Sequence, residues 1–229
     1  NRLMTKGDER RHSKPADPEL ISDPTAQAEQ EAANALRQYD EGVETIKAFL
    51  DNERPFKLRL SLILSLHRVA LEGLSSFAGN FRPSSVEIEQ SNHTPPDAHL
   101  VPELMEEMCD YINENWDQKT AIHLAAYAMW RLNWIHPFAD GNGRTSRIIS
   151  YVVLCLSLGE TLPGNHTIPE QITENRQPYF DALDAADAAY AAGEIDLSKM
   201  ENLLENMLGA QLYSLVREAG GGTDGVEDD

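Results

Sequence analysis

The sequence predicts an all-α fold, a helical bundle with one short β-hairpin, on two observations. From Thr25 onward apolar residues recur at three- and four-residue spacing, the pattern of helices that each bury a face. Strand-like alternation of apolar and charged residues occurs at one place, Val86 to Gln90. No internal repeat competes with a single-domain reading.

The elements follow in order. Residues 1–24 are polar, mixed in charge and carry Pro15, Pro18 and Pro24, which reads as a flexible arm without a core of its own. Ala32, Leu36, Tyr39, Val43, Ile46 and Phe49 then share one helical stripe that Pro55 stops. Leu58 to Leu74 is a second helix, ended by Gly73 and the loop that runs to Gly79. Pro102 suits a helix start, and Leu104 to Trp116 continues that helix. Thr120 is an N-cap for Ala121 to Ile135, which is apolar nearly all round and so is predicted to be the central buried helix. Gly143 to Leu158 is also apolar and should pack against it. Beyond the break at Gly159 and Pro163-Gly164, three more helices are predicted at Ile168 to Asn175, Arg176 to Ala192 and Leu197 to Ala219. Residues 25–219 therefore form one domain, and residues 220–229 read as a disordered acidic tail.

A formal charge of −19 over 229 residues argues against nucleic acid and anionic membrane as partners, because both require a positive footprint. No apolar run reaches membrane-spanning length. Two cysteines, Cys109 and Cys155, lie inside apolar helical patterns and read as buried thiols, which suits a reducing, cytoplasmic setting.

The chemistry concentrates in His136-Pro137-Phe138-Ala139-Asp140-Gly141-Asn142-Gly143-Arg144-Thr145-Ser146-Arg147. Asp140-Gly141 and Asn142-Gly143 are consecutive turn dipeptides feeding a helix, so backbone N–H groups and the positive end of a helix dipole converge on one point. Arg144 and Arg147 are three apart, on one face of that helix, and two guanidinium forks suit phosphate oxygens. His136 is the candidate base, since imidazole accepts a proton near neutral pH. Asp140 is the candidate ligand of a hard cation such as Mg²⁺, which takes one or two protein oxygens and completes its shell with phosphate and water. The segment fits neither the GxxxxGK[ST] nor the GxGxxG nucleotide fingerprint.

It does resemble the HPFxxGNGRxxR signature of the Fic (filamentation induced by cAMP) family, at every specified position. Phe81-Arg82, Val86 to His93, Pro95-Pro96 and Val101 to Met105 look like that family's flap hairpin and the helix after it, and Arg176 to Leu183 looks like its adenine-closing helix. The likeness covers roughly residues 30–210 and implies a Fic-type bundle with the flap beside the active-site loop. It also implies an activity, AMP transfer from ATP to a Ser, Thr or Tyr hydroxyl of a target protein, with Mg²⁺.

Carried over residue by residue, the resemblance implies a nucleotide site of Phe138, Gly141, Asn142, Gly143, Arg144, Arg147, Tyr179, Phe180 and Asp187, with the Asn142 side chain as an added donor. Asp187 stands where some family members carry a base-reading Asn. Ile88, Glu89 and Gln90 would align the target by strand addition. Family members are often inhibited by a glutamate within (S/T)xxxE(G/N) that pairs with the second motif arginine. Thr25 to Gln30 and Ser214 to Ala219 approach that pattern, making Glu29 and Glu218 the candidate inhibitory residues; a separate antitoxin is the other source of inhibition, and an oligomer is compatible with the sequence. The alternatives are deAMPylation or transfer of another phosphate-containing group at the same site, and an occluded, non-enzymatic binding module. Intact Gly141 and Gly143 favour AMP transfer, because family members that phosphorylate replace these glycines.

Overall fold

A computed structural model describes residues 20–51, 55–88, 91, 93–164 and 166–219. Among them the chain forms α1 (Pro24–Asp51), α2 (Leu60–Leu71), a 3₁₀ turn (Ala98–Leu100), α3 (Val101–Glu114), α4 (Ala121–Ile135), α5 (Asn142–Leu158), α6 (Ile168–Glu174), α7 (Gln177–Ala191) and α8 (Ser198–Ala219). The fold is all-α. Strand pairing among the described residues is limited to an isolated bridge position at Ile88; Glu89 and Gln90 lie outside the described residues, so the predicted hairpin is represented by the extended stretch that leads to Ile88. Residues 1–19 of the predicted arm and the predicted acidic tail from 220 also lie outside them.

Helix α4 became the centre because no face of it is polar enough for water. Leu124, Ala125, Ala126, Ala128, Met129, Trp130 and Leu132 are all buried, and α5, with Ile149, Val153 and Leu156 also buried, packs along it. Around this pair stand α1 and α2 on one side, with Ile46, Ile63 and Leu66 turned inward, and α3, α7 and α8 on the others. The two cysteines are buried, unpaired thiols; burial pushes Cys109 up to about 12 and Cys155 up to about 11, so both stay protonated and inert.

The ends of α4 and α5 decide where the loop between them lies. The Thr120 side chain accepts the His123 N–H at 3.1 Å and starts α4. His136 ends it in the left-handed region, φ 51° and ψ 58°, before Pro137, which cannot continue a helix. Gly141, at φ 79°, then opens α5. The motif loop is therefore short and suspended between two rigid, buried helices.

Candidate active site

The motif loop is held from inside by its own residues. Asn142 accepts the Phe138 N–H on its Oδ1 and donates from Nδ2 to the Phe138 carbonyl, both at 2.9 Å, closing the loop like a buckle. Asp140 accepts the Gly141 N–H at 2.6 Å and an Arg144 N–H at 2.7 Å. The Phe138 ring is fully buried, stacked on His67 at 3.6 Å and tilted against Phe81 at 5.9 Å. With the loop fixed this way, the first N–H groups of α5 have no partner within their own helix and face the space above it.

That space is a cavity of about 500 Å³. The loop and α5 line it with His136, Asp140 to Arg144 and Arg147; α7 and the residue before it add Arg176, Tyr179 and Phe180; α1 closes it with Ala28, Glu31, Ala32 and Ala35. Three arginines in one cavity of a strongly acidic protein mark it for an anion. Arg144 is partly neutralised by Asp140. No carboxylate among the described residues pairs with Arg147, and its guanidinium is drawn down to about 10, first by burial, against the pull of Tyr179, and then by the charges of Arg176 and Arg144. A Cβ on Gly143 would sit 3.3 Å from the Arg147 guanidinium, so the glycine lets Arg147 lie against the first turn of α5 without a small shift.

His136 is buried and lines the cavity. Its Nδ1 lies 3.3 Å from the Asn133 carbonyl, an acceptor that favours the proton on Nδ1 and leaves the lone pair on Nε2. Asp140 is the one carboxylate that the motif loop offers, and no group of three or more His, Cys, Asp or Glu that would cage a metal exists among the described residues. One partly exposed carboxylate beside a phosphate-sized cavity fits Mg²⁺, which keeps waters and substrate oxygens, and does not fit a metal that needs an all-protein cage.

Of the residues named from the sequence, the structure gathers His136, Asp140, Gly141, Asn142, Gly143, Arg144, Arg147, Tyr179 and Phe180 around one cavity. Four expectations change in detail. Phe138 does not line this cavity; its ring is the loop's anchor in the core. The Asn142 side chain holds Phe138 through its Oδ1 and one Nδ2 N–H, so it braces the loop and keeps at most its second N–H for an anion. Asp187 lines a neighbouring cavity of about 690 Å³ with His93, Trp134 and Tyr190, and accepts the Trp130 indole N–H at 2.9 Å. Glu29 is exposed on α1 and faces away from the cavity, which α1 lines with Glu31 instead. The Glu218 side chain lies outside the described residues, and Ile88 is buried at the start of the flap segment.

Sequence reasoning missed two residues of the site. Arg176 reaches the cavity from the residue before α7; its one sequence signal was its place at the start of the helix that carries Tyr179. His67 accepts the Gly79 N–H on Nδ1 at 3.0 Å, so its proton is on Nε2 and is donated to the Asp140 carbonyl at 3.0 Å. Burial lowers its pKa to about 4, against the hydrogen bond and charge of Asp140, so the ring is neutral and braces the loop from α2. On sequence alone it was one apolar-face histidine among others.

Residues 57–154 match the model of the Fic/DOC family, and over these residues the chain belongs to that family. A relative described as protein adenylyltransferase Fic, from Aedes aegypti, is 32% identical over 157 residues, 67% of this chain and 29% of that protein. One of the same description from Drosophila willistoni is 32% identical over 117 residues, 49% of this chain and 23% of that protein. The chain thus spans less than a third of the length of these curated relatives. A Fic family protein from Desulfovibrio desulfuricans has a similar fold, with a TM-score of 0.64 and 23% identity over 89% of this chain and 57% of that one.

Proposed function

We propose that this chain is a protein adenylyltransferase that moves AMP from ATP to a hydroxyl of a target protein. The observation that carries this is Arg147, paired with no carboxylate among the described residues, above the N-terminus of α5 and on the same cavity as His136. An anion of several charges bound there would meet backbone N–H groups, Arg144 and Arg147 together. The family relatives described as adenylyltransferases support the donor and the type of transfer.

In this reading the polyphosphate lies along Gly141 to Arg144, with Arg147 on its terminal phosphate. Asp140 offers the oxygen ligand for Mg²⁺, which when bound neutralises charge across the phosphates. The target hydroxyl attacks the α-phosphorus and gives its proton to His136 Nε2. The bond from the α-phosphorus to the bridging oxygen breaks, and pyrophosphate leaves with that electron pair. The backbone N–H groups of α5 stabilise the charge that develops on the α-phosphoryl oxygens. Tyr179 and Phe180 offer an aromatic wall to the nucleoside, with Asp187 a turn or two further along α7. Ile88 starts the segment against which the target would lie. Because the cavity is open and Arg147 meets no carboxylate among the described residues, the geometry favours this reading over an occluded binding module.

The test uses ATP labelled at the α- or the γ-phosphate, with lysate proteins as acceptors. Protein-bound label from the α position alone, lost in His136→Ala, is expected. Label from the γ position would replace AMP transfer by phosphorylation, and equal labelling by wild type and His136→Ala would sink the reading.

A further inference from the structure

Arg82 is a buried arginine whose three side-chain nitrogens each donate to a backbone carbonyl. Its Nε donates to the His136 carbonyl at 2.8 Å, Nη1 to the Ser84 carbonyl at 2.9 Å and Nη2 to the Pro96 carbonyl. Its own backbone N–H donates to the Pro137 carbonyl at 2.8 Å. Burial draws the guanidinium pKa down, and the charge of Asp97 opposes this.

The placement of these acceptors is informative. Ser84 and Pro96 lie near the two ends of the flap segment, which contains Ile88. His136 is the one non-glycine residue with positive φ among the described residues. A left-handed conformation at a non-glycine residue costs on the order of 1–3 kcal/mol and persists only where the surroundings over-determine it. At His136 two of those surroundings belong to Arg82, which holds the carbonyls on both sides of the His136-Pro137 link. A planar fork reaches three carbonyls at fixed angles, which the single ammonium of lysine cannot do.

We propose that Arg82 is a positioning residue that sets the His136 backbone and both ends of the flap segment in one register, so that base and acceptor hydroxyl meet. The inference touches no substrate, and its activity arm rests on the adenylyl-transfer reading above. Misplacing a reacting group by about 1 Å costs on the order of 100-fold in rate, and that is the loss expected of Arg82→Met, with ATP affinity unchanged. Arg82→Lys recovers little of it. Ethylguanidinium added to Arg82→Ala restores part of the rate, a rescue that a purely space-filling role would not give.

Two measurements decide. One is transfer from α-labelled ATP to lysate proteins together with the calorimetric affinity for ATP, corrected for folded fraction and compared with Asn113→Ala. That comparison breaks a different side chain-to-backbone clamp, in which the Leu58 N–H donates to Asn113 Oδ1 and Asn113 Nδ2 donates to the Leu58 carbonyl. The other is the three-bond N–H to Hα coupling of His136, which reports its φ and needs no activity. A changed His136 coupling in Arg82→Lys and Arg82→Met, with transfer lost and ATP affinity kept, supports the proposal. A wild-type coupling in these variants overturns it, as does a transfer loss no larger than that of Asn113→Ala or one that follows ATP affinity. If the wild-type chain transfers no AMP, the adenylyl-transfer reading fails, and the coupling alone then rules on Arg82.

Discussion

The cavity wall built by residues 136–147 and the wall built by α1 face the same space with opposite chemistry. The first carries His136 as the proposed base, the Asp140 carboxylate, the α5 N-terminus and two arginines, locked by Asn142, His67 and Phe138 into a shape that leaves little freedom. The second offers Ala28, Ala32 and Ala35 with Glu31 as its one charge. A wall that reacts must be preorganised, so its residues bond to one another; a wall that admits a ligand need only be small. Both could be judged from the structure, whereas only the first has a motif that a sequence reader would notice.

The contrast is broken most severely at the base. His136→Ala should lower the rate of transfer from α-labelled ATP by on the order of 1,000-fold. ATP affinity should stay close to wild type, because the α5 N-terminus and the arginines remain.

The next effect concerns the brace beneath the loop. With its pKa depressed from 6.5 to about 4, His67 remains neutral in the folded chain while its unfolded counterpart takes up a proton. It therefore contributes stability that is present above pH 6.5 and is lost as the pH falls toward 4, about 3 kcal/mol across that window. Denaturant titrations of wild type and His67→Gln should show a stability difference that narrows as the pH falls through this range. A difference independent of pH would mean that the ring is not held neutral in the folded chain.

The α2 to α5 seam showed least in the sequence. The helices themselves were legible: eight predicted segments reappear within a few residues of their expected ends, because a buried face imposes a 3.6-residue period whatever its neighbours are. The motif was legible too, since its residue types are chemically specific. The partner of each motif residue was not. Whether Asn142 points to a ligand or back at Phe138, and whether α1 lines the cavity with Glu29 or with Glu31, depend on helix rotation and on contacts distant in sequence. His67, 73 residues before Asp140, is likewise invisible to any local pattern.

A smaller effect is expected at that seam. Gly141→Ala would put a Cβ 2.4 Å from a Leu71 methyl at a backbone φ of 79°, and should cost about 2 kcal/mol of stability measured by urea titration. Smaller still, Ala32→Leu would fill part of the α1 wall without touching the loop. It should weaken ATP binding by about tenfold, near 1.4 kcal/mol, and leave stability unchanged because Ala32 is exposed.

Whether the arginine above Gly143 is available to a nucleotide is the point on which the two walls meet. Calorimetric titration of ATP with Mg²⁺ into the unaltered chain and into Arg147→Ala tests it directly. Saturable binding by the unaltered chain, weakened by on the order of 10- to 100-fold in the variant, is the expected result. No binding by the unaltered chain, or equal binding by both, would contradict a phosphate site at Arg147.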